Sequence, residues 1–397
     1  MLFRSASEAG SLLPQVSLSG NQQRQNVSLA QNGMRGKGTL FDLTGTSVSV
    51  SYDLDVFGGE RRTIEGLQAT ANQRALELEA TRLSLAANVV TTLITDASLR
   101  AQIAATRDII RTETEQLTLL RQQFALGAVA QTDVLLQESN LAQAKVALPA
   151  LEKQLGQNRN LLMVYLGRMP SEDRGESVAL DGLHLPERLP LSLPSSLVRQ
   201  RPDVLAAEET LHRANAQVGV ATAAMLPKLS LSGSFGSQAL SPAELFGAQT
   251  AAWSLASSIA QPIFRGGALV HARESSIAAR DQAAAQYRST VLKAFQNVAD
   301  ALRAIQADAK TLAAQTEAER VAGRSLEIAR SQYQAGATTW TAVLTADQSQ
   351  QNARIARVKA QAQRHADTAA LMQALGGGWW NRVEEPAVTE VSIAAEK

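Results

Sequence analysis

A long run of helix-forming residues, from Glu60 to Gln123, constrains the fold more than any other part of the chain. It has no proline and one glycine, Gly66, and it is rich in alanine, leucine, glutamate, glutamine and arginine. At ~1.5 Å per residue, one continuous helix would be roughly 95 Å long, several times the ~30 Å core of a bilayer. No compact globular domain could surround it, although a long cytosolic coiled coil would also explain this run.

Apolar residues recur along this run at a seven-residue spacing. One row contains Val89, Ile103, Ile110, Leu117 and Phe124, and a second row on the same seam contains Leu85, Leu99 and Leu120. A narrow stripe with this period predicts another helix packed against it at a shallow crossing angle.

Composition excludes several classes of function. The 397 residues carry a net charge of +1, which gives no reason to expect a nucleic-acid partner. The absence of cysteine rules out disulfides, thiol catalysis and cysteine-ligated metal. The four histidines are scattered without ligand spacing, and no serine lies in a nucleophile-elbow pattern. We therefore expect no enzymatic activity and no cofactor.

The chain contains two copies of one unit. Two motifs occur twice: Leu13–Gly20 returns as Leu226–Gly233, and Gln123–Ala128 returns as Gln332–Ala337. From the second motif onward the offset is constant, since Tyr333 follows Phe124 by 209 residues and later pairs keep this spacing. Similarity that keeps its register indicates a duplication, and each copy is predicted to contain two strands, a long helix, a tip and a return helix.

Alternating residue types predict the strands. In the first copy Val48, Val50, Tyr52, Leu54 and Val56 alternate with Ser47, Ser49, Ser51, Asp53 and Asp55. In the second copy the apolar positions include Leu229, Leu231, Phe235, Trp253, Leu255 and Ile259. Such strands have one apolar and one hydrated face. The first strand alternates cleanly only from Gln15 to Gly20, because Val27 and Leu29 have the other parity, and this predicts a bulge or shifted register.

These patterns divide the chain into seven segments. They are a remnant of an N-terminal helix (1–14), two strand pairs (15–57 and 227–265), two helical hairpins (58–167 and 266–376), a linker with an equatorial helix (168–226) and a C-terminal tail (377–397) predicted to be largely disordered. Pro149 predicts a kink in the first return helix, roughly Gln131 to Tyr165. The first residues lack the features of a signal peptide, so we expect a longer precursor.

Strands with one apolar and one serine-rich face suit an outer-membrane barrel with a hydrated interior. Four strands cannot enclose a usable pore, so several chains would have to share one barrel, and three copies would supply twelve strands. Helices far longer than a bilayer is thick would then project away from it. A non-membrane coiled-coil scaffold does not explain why half-hydrated strands precede the long helix in both copies.

Several short motifs carry a resemblance to a known family. They are Arg201-Pro202-Asp203-Val204, Ala206-Ala207-Glu208, Gly219-Val220-Ala221, Leu226-Pro227 and Leu375-Gly376-Gly377-Gly378-Trp379. Together with the duplication, they resemble the OprM/NodT-like branch of the TolC family of outer-membrane efflux proteins, over essentially residues 11–380. The resemblance implies a mainly α-helical fold with a membrane β-barrel: a homotrimer with a shared twelve-stranded barrel and a long helical periplasmic tunnel.

The resemblance also implies a function and partners. It predicts an outer-membrane channel, lipoprotein as a precursor, that serves as the passive exit duct of a tripartite efflux system for drugs and other toxic small molecules. The implied partners are outer-membrane lipid, a periplasmic adaptor protein and an inner-membrane pump of the resistance-nodulation-division (RND) type. The alternatives are the outer-membrane duct of a type I protein secretion system and a soluble coiled-coil scaffold.

Two sites follow from the resemblance. The helix tips, which would dock the adaptor, contain Phe124, Leu126, Gly127, Ala128, Tyr333, Ala335, Gly336 and Ala337. A turn without a partner would explain the two tip glycines equally well, since a reversing helix needs a residue that tolerates positive φ. The second site is a periplasmic gate.

Relatives carry an aspartate and, three residues later, an arginine at this gate, where the present chain has Thr345 and Gln348. We expect Thr341, Thr345 and Gln348 to form a gate through neutral hydrogen bonds. Asp347 is a further gate candidate, but its preferred interpretation is a solvated helix face, because two residues rotate a side chain by roughly 200°.

Strand residues are assigned to the two surfaces of the barrel. Those predicted to face the lumen are Ser47, Ser49, Ser51, Asp53 and Asp55, and those predicted to face outward are Val48, Val50, Tyr52, Leu54, Val56, Trp253 and Leu255. In the lumen the two aspartates would bias the channel toward cations. At the rim they would only be solvated.

Overall fold

The structure is a computed structural model and describes residues 2–28, 38–185 and 199–379. Predictions for Leu29, for the proline-rich part of the linker and for the tail from Trp380 lie outside these residues. The chain forms two compact units, Met1–Glu77 with Asp203–Thr290, and Leu78–Pro202 with Val291–Lys397.

Six helices and four strands form the described fold. In chain order they are α1 (Leu2–Ala9), β1 (Gln15–Val27), β2 (Thr39–Leu54), α2 (Gly59–Ala125), α3 (Gln131–Tyr165), α4 (Pro202–Ala223), β3 (Lys228–Ala239), β4 (Ala251–Ala260), α5 (Ala268–Gln334) and α6 (Trp340–Ala374). Short 3-10 helices lie at Gly10–Leu12, Pro170–Glu172, Leu180–Gly182 and Pro242–Glu244.

The four strands form one antiparallel sheet in the order β1-β2-β3-β4. β1 pairs with β2 in one unbroken register along its whole length, so the predicted bulge or register shift is wrong within the described residues. The alternation changes because polar residues such as Arg24 occupy the same face that Val16 and Leu18 occupy near the start of the strand. The composition of that face changes, while the pairing does not.

The helices reproduce the duplication. α2 and α5 each contain 67 residues, and α3 and α6 each contain 35. Every boundary keeps one offset, since Ala268 follows Gly59 and Ala374 follows Tyr165 by 209 residues. α3 has the predicted bounds and continues without interruption through Pro149, so the kink itself stays a prediction.

The second unit has a layered apolar core between its helices. The cluster nearest the helix tips draws on α2, α3, α5 and α6, and contains Leu117, Leu120, Val134, Leu141, Leu326, Trp340, Val343 and Leu344. Two further clusters lie along the helices, one around Ile94 and Val358 and one around Val298 and Leu371. Side chains from both hairpins meet in the cluster at the tips, so burial of shared apolar surface holds the hairpins together there.

Candidate functional site

One face of the sheet is lined by hydroxyl groups. The predicted lumen residues Ser47, Ser49, Ser51 and Asp53 all lie on this face. Serines bond across the strands, with Oγ–Oγ distances of 3.0 Å for Ser19–Ser47, 2.7 Å for Ser230–Ser258 and 2.8 Å for Ser234–Ser254. The face therefore offers polar but mostly uncharged groups to whatever it borders. Its assignment to a lumen stays a prediction.

The other face of the sheet is mostly apolar, with Gly233 and Ser257 among its apolar residues. The register places Val16, Leu18, Val48, Val50, Tyr52, Leu54, Leu229, Leu231, Phe235, Trp253, Leu255 and Ile259 on it. Many are exposed in the single chain, including Trp253 at 77% and Ile259 at 70%. From Leu229 to Phe235 the surface extends roughly 20 Å at ~3.4 Å per residue, close to the ~25 Å apolar band of membrane barrels. An exposed apolar surface of this size marks an interaction with lipid or protein.

Asp55 and Val56 do not belong to these faces, because β2 ends at Leu54. Their assignment to strand faces is therefore wrong. The Asp55 carboxylate accepts the backbone N–H groups of Glu60 (3.1 Å) and Arg61 (3.0 Å) and so caps the start of α2. Although burial raises the pKa of Asp55, these bonds and the Arg61 side chain hold it below the ordinary value.

Both helix tips turn through a glycine with positive φ, Gly127 at 73° and Gly336 at 70°. At the first tip the N–H of Ala128 donates to the Gln123 carbonyl (2.9 Å) and that of Gly127 to the Phe124 carbonyl (2.9 Å). The same two bonds recur 209 residues later in the second tip. This pattern satisfies helix-end carbonyls and explains why glycine occupies the turn.

The two tips differ in what they expose. At the first tip Leu126 is 85% exposed and Phe124 is 44% exposed. At the second tip Tyr333 packs edge-on against Trp340, with ring centroids 5.1 Å apart, and Trp340 is buried in the core. Leu126 and Phe124 therefore give the first tip an accessible apolar surface, while the second tip packs its larger aromatic residue inward.

The predicted gate residues Thr341, Thr345 and Gln348 lie on one exposed side of α6. The Thr345 hydroxyl donates to the Thr341 carbonyl (2.9 Å), so its bond stays within the helix. The Gln348 side-chain amide donates to the Asn140 side-chain oxygen of α3 (2.8 Å). Gln348 thus connects the two hairpins through a neutral hydrogen bond of the predicted kind.

The interpretation of Asp347 as a solvated helix face is wrong, because Asp347 is only 4% exposed. Its carboxylate accepts a hydrogen bond from Arg330 of α5 (2.9 Å) and another from the Gln351 amide one turn along α6. The same Gln351 amide donates to Glu113 of α2 (2.7 Å). Asp347 therefore lies in a buried polar cluster between the hairpins.

Sequence reasoning missed Glu113, the most perturbed group of this cluster. It is 2% exposed and accepts a hydrogen bond from the fully buried amide of Gln137. Burial, and then its contact with the Asp347 carboxyl group, raise the pKa of Glu113 to about 7. A signal was present, since Glu113 lies seven residues before Leu120 in the apolar row and must share its buried side of the helix.

Neither a membrane span nor a metal site is found in the described helices and side chains. No described helix combines the length and hydropathy that crossing a bilayer requires. No three His, Asp or Glu side chains in these ranges are grouped to hold a metal ion.

Known proteins resemble this chain over nearly its whole length. The model of the family described as outer membrane efflux protein matches residues 6–168 and 193–377. The probable efflux pump outer membrane protein TtgC of Pseudomonas putida is 29% identical over 388 residues, covering 97% of this chain and 79% of the relative. The outer membrane protein OprJ of Pseudomonas aeruginosa is 32% identical over 372 residues, covering 91% and 75%.

The fold is also that of solved membrane proteins. The crystal structure of a membrane protein from Pseudomonas aeruginosa superposes with a TM-score of 0.90 at 26% identity, covering 96% of this chain and 86% of that one. This confirms the predicted fold class. From the family match, the relatives and the fold together, the chain belongs to the outer membrane efflux protein family.

Proposed function

We propose that this chain is the outer-membrane exit duct of a tripartite efflux system, through which small molecules expelled by an inner-membrane pump leave the cell. The observation that carries the proposal is the sheet, whose one face is apolar and exposed and whose other face is lined by hydroxyl groups. Such a sheet fits between lipid and water. Family membership and the efflux-pump name of a relative support the same function.

The duct is a homotrimer in this proposal. β1 and β4 are the outer strands of the described sheet, and all ten residues of β4 are exposed. Free strand edges pair readily with other strands, and four strands cannot enclose a pore. Three copies joined edge to edge would form a twelve-stranded barrel with the serine face inside and lipid outside.

The partners are a periplasmic adaptor and an inner-membrane pump of the RND type. The adaptor docks on the helix tips, where exposed Leu126 and Phe124 offer apolar contact beside the glycine turn. The chain itself performs no catalysis and supplies a passive route, while the pump supplies the energy. Gln348 and its neighbours Thr341 and Thr345 line the gate.

Susceptibility profiling of a deletion strain tests the function. Loss of the gene should raise sensitivity to dyes, detergents and antibiotics, and complementation from the native gene should restore resistance. A secretion defect with unchanged drug sensitivity would instead indicate a type I secretion duct. Native mass spectrometry of the purified protein in detergent tests the assembly, and a monomer or dimer that never enters lipid would overturn the proposal.

A further inference from the structure

We propose that Glu113 and Asp347 form a proton-binding site between the two helical hairpins, and that one shared proton holds α6 against α2 near the tips. The site is the polar cluster of Glu113 and Gln137 from the first hairpin with Arg330, Asp347 and Gln351 from the second, in which Glu113, Gln137 and Asp347 are buried. It does not rest on the transport function, because it concerns only how the two hairpins bind each other.

The geometry brings the two carboxyl groups to one donor. The Gln351 amide donates both to Glu113 (2.7 Å) and to Asp347, so one amide group joins the two carboxyl groups. The Gln137 amide donates to Glu113 from the other side. Two carboxyl groups that share a donor in this way can bond to each other only when one of them carries a proton.

The cluster contains fewer positive than negative groups. Arg330 pairs with Asp347, while Glu113 forms no ion pair with any residue that the structure describes. The remaining neighbours of Glu113 in this layer, Gln137 and Gln351, are neutral. With both carboxyl groups ionised, the layer would hold an uncompensated negative charge almost out of contact with water, and a bound proton removes that cost.

Apolar packing surrounds this layer. Leu117, Leu141 and Val343, each one helical turn from a member of the cluster, belong to the core that the four helices share. Charge repulsion in the cluster therefore acts directly on the contact between the hairpins.

The direction of the pH dependence follows from Glu113. Its folded-state pKa of about 7 lies above the ordinary 4.5, so between these values the folded cluster holds a proton that the opened cluster releases. The contact between the hairpins is strongest at and below pH ~4.5 and weakens as the pH rises. Above pH ~7 it has lost the stabilisation that the bound proton supplies. Local opening near the cluster should become more than tenfold more frequent between about pH 5.5 and about pH 8.

The duplicated half supplies a matched control. Arg121 and Glu138, which precede Arg330 and Asp347 by 209 residues, form the equivalent ion pair (2.6 Å). The Glu138 side chain is 39% exposed, and the place of Glu113 in the second copy is taken by Ala322. Glu138→Gln therefore removes a carboxylate with the same kind of arginine partner but without the buried neighbour.

Another carboxyl pair titrates elsewhere in the second hairpin. Burial, and then Asp367, raise the pKa of Asp308 to about 6. Asp308 and Asp367 lie on α5 and α6, away from the tip cluster. The readout must therefore be local and not a global unfolding curve.

Hydrogen–deuterium exchange of the purified full chain in detergent, at about pH 5.5 and about pH 8 and corrected for intrinsic amide rates, tests the site. In the wild type, peptides around Glu113 and Asp347 should lose at least tenfold in protection at the higher pH. Glu113→Gln should retain high protection at both values, because the neutral amide mimics the protonated acid. Glu138→Gln should behave like the wild type.

Unchanged wild-type protection at the two pH values would overturn the proposal, as would a Glu113→Gln variant with the wild-type pH response. Should Glu113→Gln fail to fold, Asp347→Asn replaces it. That change removes the Asp347 carboxyl group, the second cause of the raised Glu113 pKa after burial, so the pH response around Glu113 should become smaller. An undiminished pH response in Asp347→Asn would overturn the proposal equally. None of these readouts requires transport activity.

Discussion

Arg159 of α3 and Asp173 of the following linker form an ion pair in which the arginine side chain is only 11% exposed. The same guanidinium group reaches Asp96 of α2 (3.4 Å), so one side chain connects α2, α3 and the linker. Hydrogen bonds from Arg159 and from the N–H of Gly175 lower the pKa of Asp173 to about 2. The linker is therefore fastened to the first hairpin by charge as well as by packing.

Replacing Arg159 with alanine should destabilise the protein by about 2 kcal/mol at pH 7, because it leaves the Asp173 carboxylate without its ion-pair partner and removes one of the two arginines that contact buried Asp96. The folded pKa of Asp173 lies below the ordinary 3.8, so the pair stabilises the fold above that pH and loses its effect as the pH falls to about 2. Urea unfolding followed by circular dichroism measures both effects. Arg107→Ala, which breaks an exposed pair with Glu152, is the control and should cost less than about 1 kcal/mol.

Two glycine-to-alanine changes should have opposite effects on the stability of the protein. Gly127→Ala at the first tip forces a side chain into positive φ and should cost about 1–2 kcal/mol. Gly156→Ala lies inside α3, where an added Cβ meets nothing within 4 Å, and should add about 0.5–1 kcal/mol of stability. Thermal unfolding of both variants checks the difference. An equal effect of both changes would contradict the turn geometry.

The two faces of the sheet should respond differently to charge. Leu255→Arg places a cation on the apolar face and should cost about 2–4 kcal/mol of membrane stability at mid-depth, which lowers the amount of folded protein in the outer membrane. Ser254→Arg, on the adjacent residue and the opposite face, should be tolerated. Quantitative immunoblots of outer-membrane fractions compare the two variants. Equal losses would show that the face assignment is wrong.

Adaptor docking should depend on the exposed leucine of the first tip. Leu126→Ser removes apolar surface from a side chain that is 85% exposed, so stability should change by less than about 0.5 kcal/mol. Affinity for the cognate adaptor should fall about tenfold, or ~1.4 kcal/mol, as measured by biolayer interferometry. Leu161→Ser, an exposed change in α3 away from the tip, should leave the affinity unchanged. An adaptor affinity that is unchanged in Leu126→Ser would indicate another docking surface.

The helices were predictable because their signals are local and doubled. The run from Glu60 to Gln123 has no proline and one glycine, and glycines at the same offset mark the ends of both long helices. The predicted return helix, Gln131 to Tyr165, has the observed bounds of α3. A periodic pattern that appears twice at one offset leaves little freedom for the placement of elements.

The polar cluster was harder to predict. A carboxylate is normally expected on a solvated helix face, but both carboxylates occupy helix positions that face the core. Asp347 lies three residues after Leu344 and four after Val343, on the buried side of α6. Glu113 similarly lies in register with Leu99 and Leu120. The seven-residue period places Glu113 on the buried side of α2, but only the packed helices show that it meets the cluster around Asp347.

The end of β2 escaped prediction for a different reason. Strict alternation continues through Asp55 and Val56, yet the strand ends at Leu54. The start of α2 needs acceptors for its free N–H groups, and Asp55 supplies them. Alternation describes a face but carries no information about where hydrogen bonding passes from one element to the next.

The equal lengths of the paired helices limit how this protein can be resized. Adding seven residues to one helix of a single hairpin would leave the other helix of that hairpin too short. Adding them to both α2 and α3 would carry the first tip ~10 Å beyond the second. Either edit separates residues that now meet in the common core at the tips. A longer or shorter version therefore needs four matched insertions or deletions, and engineers who seek a different reach should edit both copies together.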